Sequence, residues 1–269
     1  MDPMTRFRMF RGMFDELGTP IRPNMKVLDF GCGAGNLLKA ALTQGFDAYG
    51  CDLYDVKYSQ DWNAAEKVGG LTDTGRLRRI RMPYELPFED ATFDVVVSSE
   101  VFEHVLDYPQ AIAELQRVMK PGGCFLHIFP SRYLPIEGHI FVPLASIFRP
   151  RWWLWLWALL GVRNSYQRGL SARAVVDRNA NFLAHGTNYP PTRQIKRDFE
   201  KCFSKVAFVE HAFLPHSQRP RFLAKVPFGA ALYGLLWSRC LYGVRDAADA
   251  PSRAPAKTPE RMAAKVGVL

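Results

Sequence analysis

Apolar runs and amphipathic stretches alternate along the first half of the chain. Runs of about 4–8 apolar or β-branched residues predict strands at 26–30, 47–51, near 79–82, 93–98 and 123–129. Apolar residues spaced three and four apart predict helices at 4–17, 36–44 and 109–119. Strands that alternate with helices indicate an α/β fold with a doubly wound, mostly parallel, Rossmann-like sheet. Ligands bind such sheets at the carboxyl ends of the strands.

The second half departs from this alternation. A helical insertion follows the fifth predicted strand, and a C-terminal β-hairpin is predicted from Lys205–Leu214 and Arg221–Val226. The last residues are rich in Ala, Pro, Lys and Arg, which predicts a disordered tail. The predicted division is an N-terminal helix at 1–24, a ligand-binding core at 25–135, the insertion at 136–204, the final strands at 205–226, an apolar helix at 227–245 and the tail at 246–269.

A glycine-rich turn follows the first predicted strand. Gly31, Gly33 and Gly35 permit torsions that a β-carbon would forbid, and they let the main chain approach a ligand at a helix N-terminus. Their G-x-G-x-G spacing differs from the G-x-G-x-x-G of dinucleotide-binding folds. Asp52 ends the second strand, where a carboxylate can accept hydrogen bonds from both hydroxyls of a ribose. Asp29 places a negative charge near the turn, which suits a cationic aminoacyl ligand better than a pyrophosphate.

Further motifs follow at compatible spacing, as far as about residue 130. They are Asp52, the Leu86-Pro87-Phe88 turn, the segment from Phe93 to Val105, and the segment from Val118 to Gly123. Taken with Asp29 to Gly35, they resemble the successive motifs of class I S-adenosylmethionine-dependent methyltransferases. The resemblance implies S-adenosylmethionine as the cofactor and a small-molecule or lipid-type acceptor. It also implies that the insertion determines substrate specificity.

The resemblance implies roles for particular residues. The three glycines would line the methionine and ribose side of the cofactor, Asp29 would lie near its amino group, and Asp52 would hold the ribose. Relatives often carry a carboxylate for the adenine amino group where this chain has Met82, so adenine would bind main-chain groups or stack on Tyr84. The remaining cofactor-binding residues expected at this edge are Leu53, Met82, Pro83, Tyr84, Ser98 and Ser99.

Two histidines are candidates for catalysis. Methyl transfer is a direct displacement, so alignment of the reactants supplies much of the acceleration, and a base is needed only where the acceptor must lose a proton. His104 follows the fourth strand and could face the methyl group, or it could be structural. His139 begins the insertion and could project into the acceptor site.

Basic residues are concentrated in the second half. Residues 1–135 contain 15 Lys and Arg against 18 Asp and Glu, a net charge of −3. Residues 136–269 contain 20 against 8, a net charge of +12. This asymmetry favours an anionic substrate, an anionic surface or both.

The five cysteines are widely separated and form no C-x-x-C pair, so neither disulfides nor a metal site is predicted. No apolar signal core follows Met1, and the expected compartment is therefore the cytoplasm.

Two aromatic, apolar segments with arginine borders lie in the basic half, at 151–163 and 226–245. Tryptophan is favoured where an apolar body meets polar headgroups, and both segments are shorter than the roughly 20 residues that span a bilayer. We therefore expect peripheral attachment to an anionic membrane surface, on the inner membrane. The alternative for 151–163 is a buried helix that covers the sheet.

These observations predict an S-adenosylmethionine-dependent methyltransferase acting on a small-molecule or lipid-linked acceptor. A nucleic-acid methyltransferase would explain the basic charge, but no recognised RNA or DNA module is present, and Ser98-Ser99-Glu100-Val101 stands where many base-modifying enzymes carry an Asn/Asp-Pro-Pro-Tyr-type loop. A third possibility is a non-catalytic partner protein that retains the cofactor fold. Failure of the folded protein to bind the cofactor would favour that possibility.

Overall fold

A computed structural model describes residues 1–53, 71, 74–217 and 221–249 of the chain. In these ranges the helices are α1 (Pro3–Glu16), α2 (Asn36–Thr43), α3 (Tyr108–Val118), α4 (Arg151–Leu159), α5 (Ala172–His185), α6 (Thr192–Glu200), α7 (Glu210–Phe213) and α8 (Gly229–Leu236). The strands are β1 (Lys26–Phe30), β2 (Asp47–Leu53), β3 (Leu77–Ile80), β4 (Phe93–Ser99), β5 (Met119–Pro130), β6 (Lys205–Phe208) and β7 (Ser238–Val244).

The strands form one sheet in the order β3-β2-β1-β4-β5-β7-β6. The pairs from β3 to β5 are parallel, whereas β7 runs antiparallel to both β5 and β6. The strand order reverses beside β1, between β2 and β4, so the ends of β1 and β4 border the crevice where such sheets bind ligands. The predicted doubly wound, mostly parallel sheet is confirmed.

Helices cover both faces of the sheet because neighbouring strand residues point to opposite sides. Val27 of β1 and Val95 of β4 pack with α1 and α2, and Phe10 and Phe14 of α1 are fully buried there. Residues of the opposite face pack with α3 and α6. The Asp2 carboxylate caps α1 by accepting a hydrogen bond from the Thr5 N–H at 3.0 Å.

The C-terminal hairpin is present, but both of its strands differ from the prediction. The first strand, predicted at Lys205–Leu214, ends at Phe208 because Glu210–Phe213 is helical. Residues Arg221–Lys225 form a 3-10 helix, and the strand that pairs with β5 and β6 is β7. The apolar helix predicted at 227–245 is likewise wrong in its second half, because only α8 is helical there. The apolar residues Cys240 and Leu241 belong to β7, which lies between two other strands, and both are completely buried. Residues 250–269 of the predicted tail lie outside the described residues.

The insertion has a small core of its own. Helices α4 and α5 pack together around Leu154, Val175 and Leu183, separately from the two faces of the sheet. The predicted boundary at 204 is too late, since Ile195 and Phe199 of α6 pack against the sheet with Phe125. None of the helices in the described ranges has the length and apolar character needed to cross a membrane.

Candidate active site

The glycine turn lies between β1 and α2. Gly31, Gly33 and Gly35 have φ values of +74°, +51° and +73°, a region that glycine adopts without strain. The N–H groups of Gly31 and Cys32 donate to the carbonyl of Cys51 at 2.8 and 3.1 Å, which fixes the turn to the end of β2. A β-carbon at Gly33 would contact none of the residues that the structure describes within 4 Å, so none of them covers the main chain there. At Gly31 a β-carbon would lie 2.4 Å from the Val101 side chain.

Asp52 extends from β2 to the same turn. One carboxylate oxygen accepts a hydrogen bond from the Gly33 N–H at 2.5 Å, and the other accepts from the Leu53 N–H at 2.7 Å. The residue is partly exposed, as is Leu53. The structure therefore brings Asp52 and Gly33, both predicted from the sequence to bind the cofactor, together at the mouth of the crevice.

Asp29 is buried beside the turn and is only 5% exposed. Burial, together with the negative charge of Asp52, raises the pKa of Asp29 to about 7. Its Oδ2 atom has no hydrogen-bond partner among the described residues. A buried carboxylate oxygen without a partner is costly, and a cationic ligand at this position would satisfy it.

The loop of residues 81–85, which is predicted to border the adenine, follows β3. The main chains of Arg81 and Glu85 exchange hydrogen bonds of 3.1 and 2.7 Å, which leaves Met82 and Pro83 exposed at the tip. Tyr84 behaves differently, because it is 2% exposed and its hydroxyl accepts a hydrogen bond from the Leu106 N–H at 2.8 Å. Stacking of adenine on Tyr84 is therefore wrong, since the ring belongs to the apolar core.

Ser98 and Ser99 end β4 beside the turn. The hydroxyl of Ser98 is fully buried and hydrogen-bonded to Nδ1 of His127 at 2.8 Å, so it is not available to a ligand. Burial lowers the pKa of His127 to about 3, which keeps that imidazole neutral. Ser99 is partly exposed and lies at the crevice. The Ser98 hydroxyl therefore does not reach the crevice, and the prediction that Ser98 binds the cofactor is left with the main chain of that residue.

The structure brings His104 and His139 together, although they are 35 positions apart in the sequence. Their ring centroids are 4.9 Å apart, at an interplanar angle of 75°. His104 belongs to the 3-10 helix Phe102–His104 that follows β4, and His139 belongs to the loop that opens the insertion. The segment that follows α5 also contacts this 3-10 helix, because the Asn188 N–H donates to the carbonyl of Glu103 at 2.6 Å.

A buried carboxylate holds His139. The Nδ1 atom of His139 lies 2.7 Å from Oε1 of Glu137, which also accepts a hydrogen bond from the Tyr189 hydroxyl at 2.8 Å. The other oxygen of Glu137 accepts from the N–H groups of His139 and Ile140 at 2.8 and 2.9 Å. Burial by itself would raise the pKa of Glu137, but these hydrogen bonds and the charge of His139 outweigh it and lower the pKa.

Sequence reasoning missed Glu103 and Glu137. Glu103 is 2% exposed, and burial, followed by the charge of Glu100, raises its pKa well above the ordinary value. Its position beside His104 was the one available signal, whereas nothing along the chain indicated that Glu137 would hold His139.

A pocket opens between the end of β5 and the insertion. Glu103, Arg132, Tyr189 and Arg239 contribute to its wall. Arg132 donates to the carbonyl of Tyr189 at 3.0 Å, and Arg239 forms an ion pair of 3.0 Å with Glu210. Two guanidinium groups in the wall suit an acceptor that carries negative charge.

Comparison with known proteins identifies the family. A family profile described as a methyltransferase domain matches residues 5–202, which is most of the chain. The chain belongs to the class I S-adenosylmethionine-dependent methyltransferases. Its cofactor is S-adenosylmethionine. The crevice fits this cofactor, because the main chain at Gly33 is open and the orphaned oxygen of Asp29 matches a cationic amino group.

Individual relatives agree with this assignment. A demethylmenaquinone methyltransferase of Staphylococcus aureus is 27% identical over 187 residues, which are 68% of this chain and 68% of the relative. A cycloartenol-C-24-methyltransferase of Oryza sativa subsp. japonica is 33% identical over 111 residues, covering 39% of this chain and 30% of the relative. A methyltransferase structure from Mesorhizobium loti has the same fold, with a TM-score of 0.52 and 17% identity over 87% of this chain and 98% of that one.

Several of the curated relatives match this chain over only part of their own length. The chain spans 27–40% of the length of the first three curated relatives it matches. The methyltransferase family therefore follows from the comparisons, whereas the acceptor has to be argued from the residues of this chain.

Proposed function

We propose that this protein transfers a methyl group from S-adenosylmethionine to an anionic, small-molecule or lipid-linked acceptor at a membrane surface. The observation that carries the proposal is an exposed apolar rim beside the cofactor crevice, next to a pocket with two guanidinium groups. When bound, the cofactor supplies an electrophilic methyl group on its sulfonium. The residues of this chain bind and orient the two reactants, and alignment is a large part of such catalysis.

The cofactor-binding roles follow from the crevice. Gly33 would bring its main chain against the cofactor, Asp29 would accept hydrogen bonds from the amino group, and Asp52 would hold the ribose hydroxyls. Leu53, Met82 and Pro83 lie at the neighbouring edge, where β2 and β3 end, and would border the adenine. Since Tyr84 is buried, the main chain of residues 81–85 is left to recognise the adenine amino group.

His104 and His139 would contact the acceptor. Each imidazole uses Nδ1 for a hydrogen bond within the protein, to the Gly186 carbonyl in His104 and to the Glu137 carboxylate in His139. In the neutral form of each ring, Nε2 therefore keeps a lone pair that can accept a hydrogen bond or a proton. Glu103, the neighbour of His104, lines the pocket, and this supports the prediction that both histidines take part in catalysis.

Helix α4 supports contact with a membrane. Leu154 and Ala158 are buried in the core of the insertion, while Trp152, Leu156 and Leu159 point to solvent. The exposed residues recur at helical spacing and form an apolar stripe, with Trp152 60% exposed. Phe148 packs edge-on against Trp152 at 5.6 Å and extends the apolar surface into the preceding loop. The helix is thus neither wholly buried nor long enough to span a bilayer.

A second apolar stripe lies on α8. Phe228, Leu232 and Leu235 are exposed at helical spacing, and Phe228 is 88% exposed. The membrane-contacting part of the predicted segment 226–245 is therefore limited to residues 226–236, because β7 is inside the sheet.

The end of α8 lies beside the carboxyl end of β5, where the insertion that contains α4 begins. Ser131 directly follows β5 and opens the insertion, and its N–H donates to the carbonyl of Trp237 at 2.8 Å. Its hydroxyl donates to the carbonyl of Leu235 at the end of α8. An apolar surface of this extent is unusual on a protein that contacts only water. The predicted insertion, 136–204, also carries 10 Lys and Arg against 4 Asp and Glu, which favours anionic lipid.

The names of the relatives support the apolar part of the proposed acceptor. The names of the two curated relatives above refer to a quinone and a sterol, both of which are apolar molecules. An acceptor of this kind is concentrated in the bilayer, so a crevice that opens beside a membrane-seated rim would receive it directly.

We expect the formation of methyl-labelled lipid product to depend on Asp52. Protein incubated with methyl-labelled S-adenosylmethionine and extracted bacterial lipids should yield labelled, solvent-extractable product. Asp52→Ala should lower cofactor affinity by about 10- to 100-fold in isothermal titration, because hydrogen bonds to a charged group contribute about 1.5–3 kcal/mol. Asp47→Ala in the same strand removes a surface ion pair with Arg76 and should leave cofactor affinity unchanged. Equal affinity in both variants would show that Asp52 does not hold the ribose.

We expect the protein to sediment with anionic vesicles and to lose this binding when the stripes become polar. Trp152→Ser combined with Leu159→Ser and Phe228→Ser removes exposed apolar area, and each buried side chain of this size contributes about 1.5–3 kcal/mol. The triple variant should therefore bind at least tenfold more weakly in a vesicle sedimentation assay. Its stability should change little because the three side chains are exposed.

A charge-removing variant provides the control. Arg193→Ser with Lys196→Ser removes two exposed cations from α6 but no large apolar side chain. Its vesicle binding should fall by much less than that of the triple variant. If the triple variant binds vesicles as well as the wild type while the charge-removing variant loses binding, the attraction is electrostatic and the apolar rim does not enter the membrane.

A further inference from the structure

We propose that Glu103, His104 and His139 bind a divalent transition-metal cation. A carboxylate oxygen of Glu103 and one ring nitrogen from each histidine lie within 4.8 Å of one another. Two ligands at about 2.1 Å from one metal are at most about 4.2 Å apart, so side-chain movements of less than about 1 Å would complete the site. This inference goes beyond the proposed methyl transfer and contrasts with the sequence, which predicts no metal site.

His104 has the tautomer that metal binding requires. Its Nδ1 atom lies 2.7 Å from the carbonyl of Gly186, and a carbonyl only accepts hydrogen bonds. Nδ1 therefore carries the proton, and Nε2 of the neutral ring has a free lone pair.

His139 is oriented in the same way. Its Nδ1–H donates to the buried carboxylate of Glu137, which is itself fixed by Tyr189 and two main-chain N–H groups. A carboxylate that holds the distal nitrogen of a histidine is a recurrent outer partner of metal sites, because it fixes the ring and raises the basicity of Nε2. Phe182 packs against the His139 ring at 5.2 Å and restricts it further.

Glu103 supplies an independent observation that points to a cation. Both of its carboxylate oxygens are buried, and neither has a hydrogen-bond partner among the described residues. The side chain is fixed within the core at 2% exposure rather than turned to solvent. Burial of a carboxylate with no partner is strongly unfavourable, whereas a bound cation would supply both the charge and the ligand bond.

The ligand types indicate the class of metal. Two imidazoles with one carboxylate suit Zn²⁺, Fe²⁺, Mn²⁺ or Co²⁺, whereas Mg²⁺ and Ca²⁺ prefer ligands that are all oxygen. Three protein ligands leave at least one position open, as in metal sites that bind a substrate or a water molecule.

The site lies next to the cofactor turn. Val101 faces Gly31 closely enough to contact an added β-carbon, and Glu103 and His104 follow two and three residues later. A metal here would hold an acceptor oxygen at its open position and favour loss of the oxygen's proton. That consequence rests on the proposed function, whereas metal binding itself can be measured without any acceptor.

The test uses the full chain, stripped of metal with a chelator and titrated with Co²⁺. One equivalent of Co²⁺ should bind and give visible d–d absorption, and one equivalent of Zn²⁺ should displace it. X-ray absorption of the wild-type zinc complex should show two imidazole ligands with oxygen donors. Because this spectrum needs no variant, a sulfur-dominated shell would overturn the proposal by placing the metal at a cysteine.

Variants locate the site. His139→Asn and Glu103→Gln should each weaken Zn²⁺ binding by about 100-fold or more, and Glu137→Gln should weaken it by about 10- to 100-fold through loss of orientation. His185→Asn changes an exposed histidine at the end of α5 and should bind Zn²⁺ like the wild type. Circular dichroism checks that each variant is folded. Undiminished binding in folded Glu103→Gln and His139→Asn proteins, or no binding by the wild type, would overturn the proposal.

Failure of the metal site can be distinguished from failure of the proposed function. If the chain binds cofactor and methylates a lipid extract equally well with and without chelator, and does not bind Zn²⁺, only the metal site is wrong. If it binds one Zn²⁺ through these residues but methylates nothing, the metal site stands and the proposed function fails.

Discussion

Replacing Asp29 with asparagine is expected to stabilise the free protein above neutral pH and to weaken cofactor binding at the same time. The carboxylate is buried beside the charge of Asp52, and its pKa is raised to about 7. In the unfolded chain an aspartate has a pKa near 3.9. Between these two values the folded protein binds a proton that the unfolded chain has released, so wild-type stability falls as the pH rises.

The size of this effect follows from the pKa difference. From pH 5 to pH 8 the free energy of unfolding of the wild type should fall by about 2–3 kcal/mol relative to Asp29→Asn, since the amide stays neutral throughout. The difference in free energy of unfolding between the wild type and Asp29→Asn should grow mainly between pH 5 and pH 7 and become constant above the pKa of the folded protein. Urea unfolding at several pH values measures it directly. Asp90→Asn, which changes an exposed carboxylate, is the matched control.

Cofactor affinity should change in the opposite direction. The cationic amino group of S-adenosylmethionine would bind the ionised form of Asp29, so wild-type affinity should rise about 5- to 10-fold between pH 6 and pH 7.5 as that form becomes dominant. Asp29→Asn should bind about 10- to 100-fold more weakly at pH 7.5 and show no rise. Titration calorimetry gives both quantities. If the variant binds as the wild type does, Asp29 does not contact the amino group.

Gly31→Ala is expected to destabilise the protein far more than the same change at another glycine of similar torsion. The φ of Gly31 is +74°, and an added β-carbon would lie 2.4 Å from one methyl of Val101 and 2.6 Å from the other. Gly122 has a φ of +81°, yet a β-carbon there meets no atom of the described part of the chain within 4 Å. Left-handed torsion costs alanine about 1–2 kcal/mol at both sites, and overpacking adds about 1–3 kcal/mol at Gly31 alone.

Removal of the clashing side chain should abolish the difference between the two glycine sites. In a Val101→Ala background, Gly31→Ala should cost about as much as Gly122→Ala, which gives a coupling of about 1–3 kcal/mol in a double-mutant cycle. Urea unfolding of the four proteins measures this coupling. The clash also displaces the segment that carries Glu103 and His104, so Zn²⁺ binding should weaken in Gly31→Ala and recover in the double variant. Equal costs at Gly31 and Gly122 would mean that the turn relaxes around the new methyl group.

The aromatic segment at 151–163 shows that the apolar pattern of a helix does not by itself tell which face is buried in the protein. Its tryptophans indicated either a membrane surface or a buried helix, and the structure gives α4 features of both, with one side in the core of the insertion and one side exposed. A periodic apolar pattern identifies the faces of a helix, but which face meets the protein depends on the neighbouring elements. The prediction of a single helix at 227–245 was wrong for a related reason. A strand that is buried between two other strands can be as apolar as a buried helix.

The sequence by itself determined the alternating sheet, the glycine turn and the acidic residues beside it, because these depend on local backbone requirements and short-range spacing. Strand β1 was predicted with its observed bounds, and the turn and Asp52 meet as the strand ends require. Only the tertiary structure decided that β7 completes the sheet, that Tyr84 and Ser98 face inward, and that His104 meets His139. Those outcomes depend on contacts between residues far apart in the chain, where burial and partner geometry determine the role of a side chain.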